Sequence, residues 1–128
     1  MTRIVVDTSA LAAVTFGEPD AAEWSARLDG AAVFAPKLLQ YELLSVARKK
    51  CRQLPRCAPE ILAALAAALD PGQGITWLDP EPADVLLIAN ATGLTTYDAS
   101  YLCLAGMLSA DLVTADRTLE AALDPFSA

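Results

Sequence analysis

Apolar and polar positions along this chain switch between the rhythm of strands and that of helices. Ile4, Val5 and Val6 form a continuous β-branched run, the pattern of a strand covered on both faces. The run leads straight into Asp7. Thr8 and Ser9 follow, and their hydroxyls can cap a helix that starts at about Ala10 and stops at Gly17. Pro19 and Asp20 open a second helix that reaches about Leu28, where Asp29-Gly30 is a stop signal. Ala31–Ala35 reads as a second strand, and Pro36 stands just inside a third helix, about Lys37–Arg52. Leu39, Leu43, Val46 and Ala47 recur along that helix at helical spacing. Pro55 and Pro59 break it. Glu60–Leu69 is apolar nearly all round, which predicts a helix buried in the core or in a subunit interface. Ile75–Leu78 predicts a third strand, and Ala83–Thr92 a helix closed by Gly93. A further helix follows Asp98 and carries Tyr101, Leu102, Leu104, Ala105 and Leu108 as its apolar residues. Asp111–Thr114 is a fourth strand, a last helix covers about Arg117–Leu123, and the tail Asp124–Ala128 is expected to fray. Strands alternating with helices predict an α/β protein with a parallel sheet of four to five strands covered on both faces, in a single domain over residues 1–128.

Four acids fall at particular places in this pattern. Asp7 and Asp116 each follow a strand directly, and Asp98 stands at the start of a helix. Glu42 interrupts the apolar stripe of the third helix, one turn from both Leu38 and Val46. In a parallel α/β sheet, strand C-termini and helix N-termini share the edge at which ligands bind. All four acids can therefore converge there. Each also has an ordinary alternative. The three aspartates can be turn or cap residues. Glu42 can sit at the edge of its stripe, reaching water or pairing with a neighbour such as Lys49. Taken together they repel one another by several kcal/mol per pair at intermediate dielectric, so the cluster would raise its own pKa values or bind divalent cations.

Composition narrows the chemistry. The chain contains no histidine, and Cys51, Cys57 and Cys103 show no C-x-x-C spacing. This argues against a zinc site and a disulfide scaffold, and it removes the commonest general base. Carboxylate chemistry with hard cations, Mg²⁺ or Mn²⁺, is what the residue set leaves. The net charge of −7 argues against a nucleic-acid binder, except that a carboxylate cluster neutralised by cations would contribute much of it. Five of the nine basic residues fall within positions 48–56, namely Arg48, Lys49, Lys50, Arg52 and Arg56. They read either as a solvated helix end favoured by the helix dipole or as a patch for phosphates or a partner. No apolar run approaches the roughly 18–20 residues that span a bilayer, and no signal-peptide pattern opens the chain. The expectation is a cytoplasmic protein that makes no use of a membrane.

The residues that carry the acids resemble a known family. V-V-D-T-S-A-L at 5–11, A-P-x-L-L-x-x-E-L at 35–43, L-T-x-Y-D-A-x-Y-L at 94–102 and L-V-T-A-D at 112–116 resemble the PIN domain. More closely they resemble the VapC toxins of bacterial type II toxin–antitoxin pairs. The likeness runs from the first strand almost to the last helix. It implies a three-layer α/β/α PIN-like fold and a metal-dependent endoribonuclease that cleaves structured RNA, with metal-activated water attacking the scissile phosphate. It assigns Asp7, Glu42 and Asp98 to one Mg²⁺ or Mn²⁺, with Asp116 as the variable fourth acid. No fifth acid follows, because position 118 is Thr118. Thr8, Ser9 and Thr114 match hydroxyl positions that often touch the site, and capping or turn hydrogen bonding is their ordinary alternative. Arg48, Lys49, Arg52 and Arg117 are candidate contacts to RNA or to the antitoxin. The resemblance further implies a homodimer and a VapB-like antitoxin docking near Trp24, Leu28 and Leu38–Leu44. Two other classes compete. A non-catalytic PIN-like binding module is usually marked by lost acids, and here all four are present. Another carboxylate-dependent phosphoryl-transfer enzyme fits poorly. A haloacid-dehalogenase-type phosphatase needs an aspartate where Ser9 stands, and a receiver domain needs a lysine beyond Lys50.

Overall fold

The structure, a computed structural model, describes residues 1–123 of the 128. The tail from Asp124 onward lies outside them. The sheet contains four strands: β1 (Arg3–Val6), β2 (Ala32–Ala35), β3 (Ile75–Trp77) and β4 (Asp111–Val113). Every pairing is parallel and the order is β3-β2-β1-β4. The β-branched run of β1 is why it is central, since both its faces must leave water. Ile4, Val5 and Val6 are 5%, 0% and 0% exposed.

Helices flank the sheet. In chain order α1 (Thr8–Thr15) and α2 (Ala21–Leu28) follow β1, and α3 (Leu38–Gln53) and α4 (Ala58–Leu69) follow β2. After β3 come α5 (Pro82–Thr92) and α6 (Thr96–Leu108), and α7 (Arg117–Ala121) follows β4. Helix α6 packs against β1 and β4 and carries α5 on its side, while α1 packs against α2, α3 and α4. The stripe of α3 is Leu39, Leu43 and Ala47, all buried against the sheet core with Tyr101, Leu104 and Leu119. A smaller apolar cluster, Val85, Ala89, Ala99 and Cys103, joins α5 to α6.

Several boundaries differ from the sequence expectation, each for a local reason. Helix α1 begins at Thr8, because Asp7 itself is the cap and accepts from the Ala10 amide. Thr8 and Ser9 are therefore released from capping. Helix α6 begins at Thr96, because the Thr95 hydroxyl accepts from the Asp98 amide at 3.1 Å. Asp98 is thus a first-turn residue and not the cap. Helix α4 begins at Ala58, since Pro59 fits in a first turn, where no amide donor is needed. It fully buries only Ile61 and Leu65, with Ala68 and Leu69 half-buried against the core and much of the remainder exposed. Strands β3 and β4 are each one residue shorter than expected, and α7 ends at Ala121. Gly93 closes α5 at φ 77°, in the left-handed region that a side chain disfavours.

Candidate active site

Register places the first two parts of the site. Val6 pairs with Val113 in the β1–β4 ladder, so Asp7 and Thr114 leave the sheet side by side at its C-terminal edge. The Asp7 amide still bonds the Val113 carbonyl at 3.2 Å. The chain passes from β1 to β2 on one side and returns as β4 on the other, so the strand order reverses between β1 and β4. Open parallel sheets bind ligands at such a reversal.

Asp7 is buried, at 4% exposed, and both its oxygens are occupied. Oδ1 accepts from the Ser9 hydroxyl at 2.7 Å and the Ala10 amide at 3.1 Å, and Oδ2 accepts from the Thr114 hydroxyl. Thr114, itself buried, also accepts from the Asp116 amide at 2.9 Å, and the Ser9 oxygen accepts from the Ala115 amide. One net of small hydroxyls thus ties the end of β1 to the end of β4. Burial pushes the Asp7 carboxyl above its ordinary value. The bonds from Thr114, Ser9 and Ala10 draw it back, and the charge of Asp116 adds to the rise.

Glu42 projects from α3 toward the same edge, half-buried. Its Oε1 accepts from the Thr8 hydroxyl at 2.8 Å and from the Tyr101 hydroxyl. Its partners are therefore hydroxyls on α1 and α6, and not Lys49. Burial, and after it the bond to Glu42, raises the Tyr101 phenol far above its ordinary range, so it remains a protonated donor. Asp98 sits in the first turn of α6, one turn before Tyr101. Its carboxyl is raised by burial first, then by the charges of Asp116, Glu42 and Asp7. Asp98 therefore feels the charge of each of the other three acids. Asp116 does cap α7, its Oδ1 accepting from the Thr118 and Leu119 amides at 2.9 and 3.3 Å. The cap role expected as its alternative is thus real, and it engages one of the two oxygens.

Among the described residues the recorded ion pair is Lys50–Glu18 at 3.3 Å, and none of the four acids has a basic partner. No three of the described acids or thiols close into a ready metal cage. The donor set is nonetheless all oxygen and strongly anionic, which fits a hard cation that keeps its waters and takes only a few carboxylates.

The basic run of α3 is divided by the helix. Lys50 is fastened to Glu18 and lies over the Phe16 ring. Arg48 and Arg52 line a cavity of about 420 Å³ against α4, with Leu44 and Leu62. Lys49 stands seven residues beyond Glu42, two turns along the same side of α3. Arg117 is exposed at the start of α7, directly after Asp116. A cavity of about 960 Å³ opens between α1, α2 and α4, reaching the N-terminal ends of β2 and β3. Of the residues expected to face an antitoxin, Leu28 lines it, and Trp24 and Leu38–Leu44 do not.

Tyr101 is the residue that the sequence reading placed only in the core. Two signals pointed to it. It stands three residues after Asp98 and hence on the same flank of the helix, and a buried tyrosine hydroxyl usually finds a partner.

The fold and the acids define a class that comparison with known proteins identifies. The PIN domain family model matches residues 4–122, and this chain belongs to the PIN domain family. Its structure is similar to the crystal structure of PAE2754 from Pyrobaculum aerophilum, at 30% sequence identity and a TM-score of 0.75. The match covers 94% of this chain and 86% of that one. No curated protein matches the chain. PIN domains are typically metal-dependent nucleases. No helix among the described residues is long and apolar enough to cross a membrane.

Proposed function

We propose that this chain is a metal-dependent endoribonuclease and the toxin of a type II toxin–antitoxin pair, cleaving structured RNA (tRNA or rRNA) and so inhibiting translation. The observation that carries the reading is the meeting of Asp7, Glu42, Asp98 and Asp116 at the sheet edge without a basic partner among the described residues. A structural acid cluster would be expected to recruit lysine or arginine, because unpaired, partly buried carboxylates destabilise the fold.

Asp7, Glu42 and Asp98, aided by Asp116, would hold Mg²⁺ or Mn²⁺. Such an ion lowers the pKa of a water and neutralises charge developing on a phosphate. The chain's own residues supply placement. Thr114 and Ser9 fix the Asp7 carboxylate, and Asp116 is held by α7 with its Oδ1 committed. With no histidine in the chain, proton transfer falls to carboxylates and solvent. Lys49 on the Glu42 side of α3 and Arg117 beside Asp116 would hold phosphates flanking the cut. A cognate VapB-like antitoxin and a homodimer complete the reading. Exposed Tyr41, Leu86, Leu87 and Tyr97 give a second copy apolar surface to cover.

The test is end-mapped cleavage of total cellular RNA by the purified chain, freed of any antitoxin. It is run with Mn²⁺, with EDTA, and with Asp7→Asn. Discrete metal-dependent cuts absent from the variant are expected. A folded, metal-loaded wild type that cuts nothing would point to a binding module instead.

A further inference from the structure

We propose that Tyr101 is a positioning residue which, with Thr8, holds Oε1 of Glu42 and thereby presents Oε2 to the acid cluster. The inference rests on the metal-dependent reading above.

Three helices meet at one oxygen. Thr8 comes from the first turn of α1, Glu42 from the first half of α3, and Tyr101 from α6. Both hydroxyls reach the same atom, Oε1, and they lie 2.9 Å from each other. Each hydroxyl carries a single hydrogen. Toward an ionised Glu42 both hydrogens point at Oε1, and their mutual contact is left without a proton. Oε2 receives no donor among the described hydrogen bonds. The two oxygens of one carboxylate are therefore made unequal by the fold, one anchored and one free.

The anchor is stiff. Tyr101 is 2% exposed, and its ring is packed in the main apolar core, so its hydroxyl cannot follow a wandering glutamate. A glutamate side chain otherwise turns about three bonds and samples many rotamers. Carboxylates that bind metals are characteristically held by such outer hydrogen bonds, and removing one partner weakens metal binding by about 10–100-fold. Asp7 is held on the same plan by Thr114 and Ser9. What the Tyr101–Thr8 pair adds is the choice of which Glu42 oxygen stays available.

The experiment measures Mn²⁺ affinity by isothermal titration without RNA, on the full chain, together with the melting temperature of each metal-free protein. Tyr101→Phe keeps the packed ring and loses only the donor, and its Mn²⁺ dissociation constant should rise about tenfold or more. Thr8→Val should weaken binding similarly, whereas Thr8→Ser, which retains the hydroxyl, should stay close to wild type. A merely structural tyrosine would lower the metal-free melting temperature and leave Mn²⁺ affinity unchanged in the folded protein. Affinity within about twofold of wild type in both Tyr101→Phe and Thr8→Val overturns the clamp while sparing the metal reading. Should Tyr101→Phe fail to fold, the Thr8→Val and Thr8→Ser pair decides the question. Wild-type protein that takes up no Mn²⁺ overturns the metal reading and the clamp with it.

Discussion

Replacing Thr114 by valine tests the charge state and the bonding of Asp7 in a single step. Valine matches threonine in shape and removes only the hydroxyl. Two bonds are lost, the one donated to Asp7 Oδ2 and the one accepted from the Asp116 amide at 2.9 Å. A hydrogen bond to a charged group contributes about 1.5–3 kcal/mol, and an ordinary one about 1 kcal/mol. At neutral pH the expected cost is therefore about 2.5–4 kcal/mol. For a domain of this size that is a fall in melting temperature of roughly 10–16 °C. The cost should depend on pH. Thr114 stabilises the ionised carboxylate and is among the bonds that draw the buried Asp7 back toward its ordinary value. Without it, Asp7 rises further in the folded state while the unfolded state is unchanged. A carboxyl raised in the folded state stabilises fully at pH values below its unfolded pKa, and that contribution fades as pH climbs through the folded value. The variant loses more over that climb than wild type does. The gap between them should thus be widest near neutrality and shrink to roughly half in acid, where both Asp7 carboxyls are protonated. Chemical denaturation from about pH 3 to about pH 8 measures it, with the same substitution in an Asp7→Asn background as the control. A gap independent of pH, or equally steep in the Asp7→Asn background, would refute the reasoning.

Asp98→Asn should raise the neutral-pH stability of the metal-free protein by no more than about 1 kcal/mol, since Asp98 is partly exposed and screened. Burial and three neighbouring acids hold its carboxyl above the ordinary value. The gain should accordingly vanish at acid pH, and paired melts at the two pH values check it, while RNA cleavage is lost. Saturating Mn²⁺ should raise the wild-type melting temperature, by about 2.7 kcal/mol of stabilisation at a hundred times the dissociation constant, and Asp7→Asn should abolish the shift in the same thermal melt. Lys49→Ala should lower the slope of log RNA affinity against log salt by about 0.7, and Arg48→Ala should leave it unchanged, as read by binding titrations across a salt series. Leu39 is 0% exposed in the core, and Leu39→Ala should cost about 2–5 kcal/mol by denaturant titration.

Much of the scaffold could be read from the chain alone. The β-branched run before Asp7, the stripe of Leu39, Leu43 and Ala47, the glycine stop at Gly93 and the strand before Asp116 are signals carried by residues near one another. Periodicity and capping act over a few positions, so they survive in a one-dimensional reading. The helix starts missed by a few residues were contests between neighbouring caps. Asp7 took the role that Thr8 and Ser9 could have filled, and Thr95 took the one open to Asp98. Helix α4, expected in the core or in a subunit interface, sends Ile61 and Leu65 into the core of this chain, and alanine loses little by facing water elsewhere along it.

What the chain by itself determined, then, was a parallel α/β sheet and four acids at the edges of its elements. Tertiary structure decided the order β3-β2-β1-β4, which sets β4 beside β1 and so brings Asp116 and Thr114 to Asp7. It also decided that Arg48 and Arg52 turn toward α4. It gave the small hydroxyls their partners as well, across separations of 107 residues for Thr114 with Asp7 and 59 for Tyr101 with Glu42. A hydroxyl has a short reach and no preferred partner along the sequence. It bonds whichever acid the packed core delivers to it, and only the folded chain fixes that delivery.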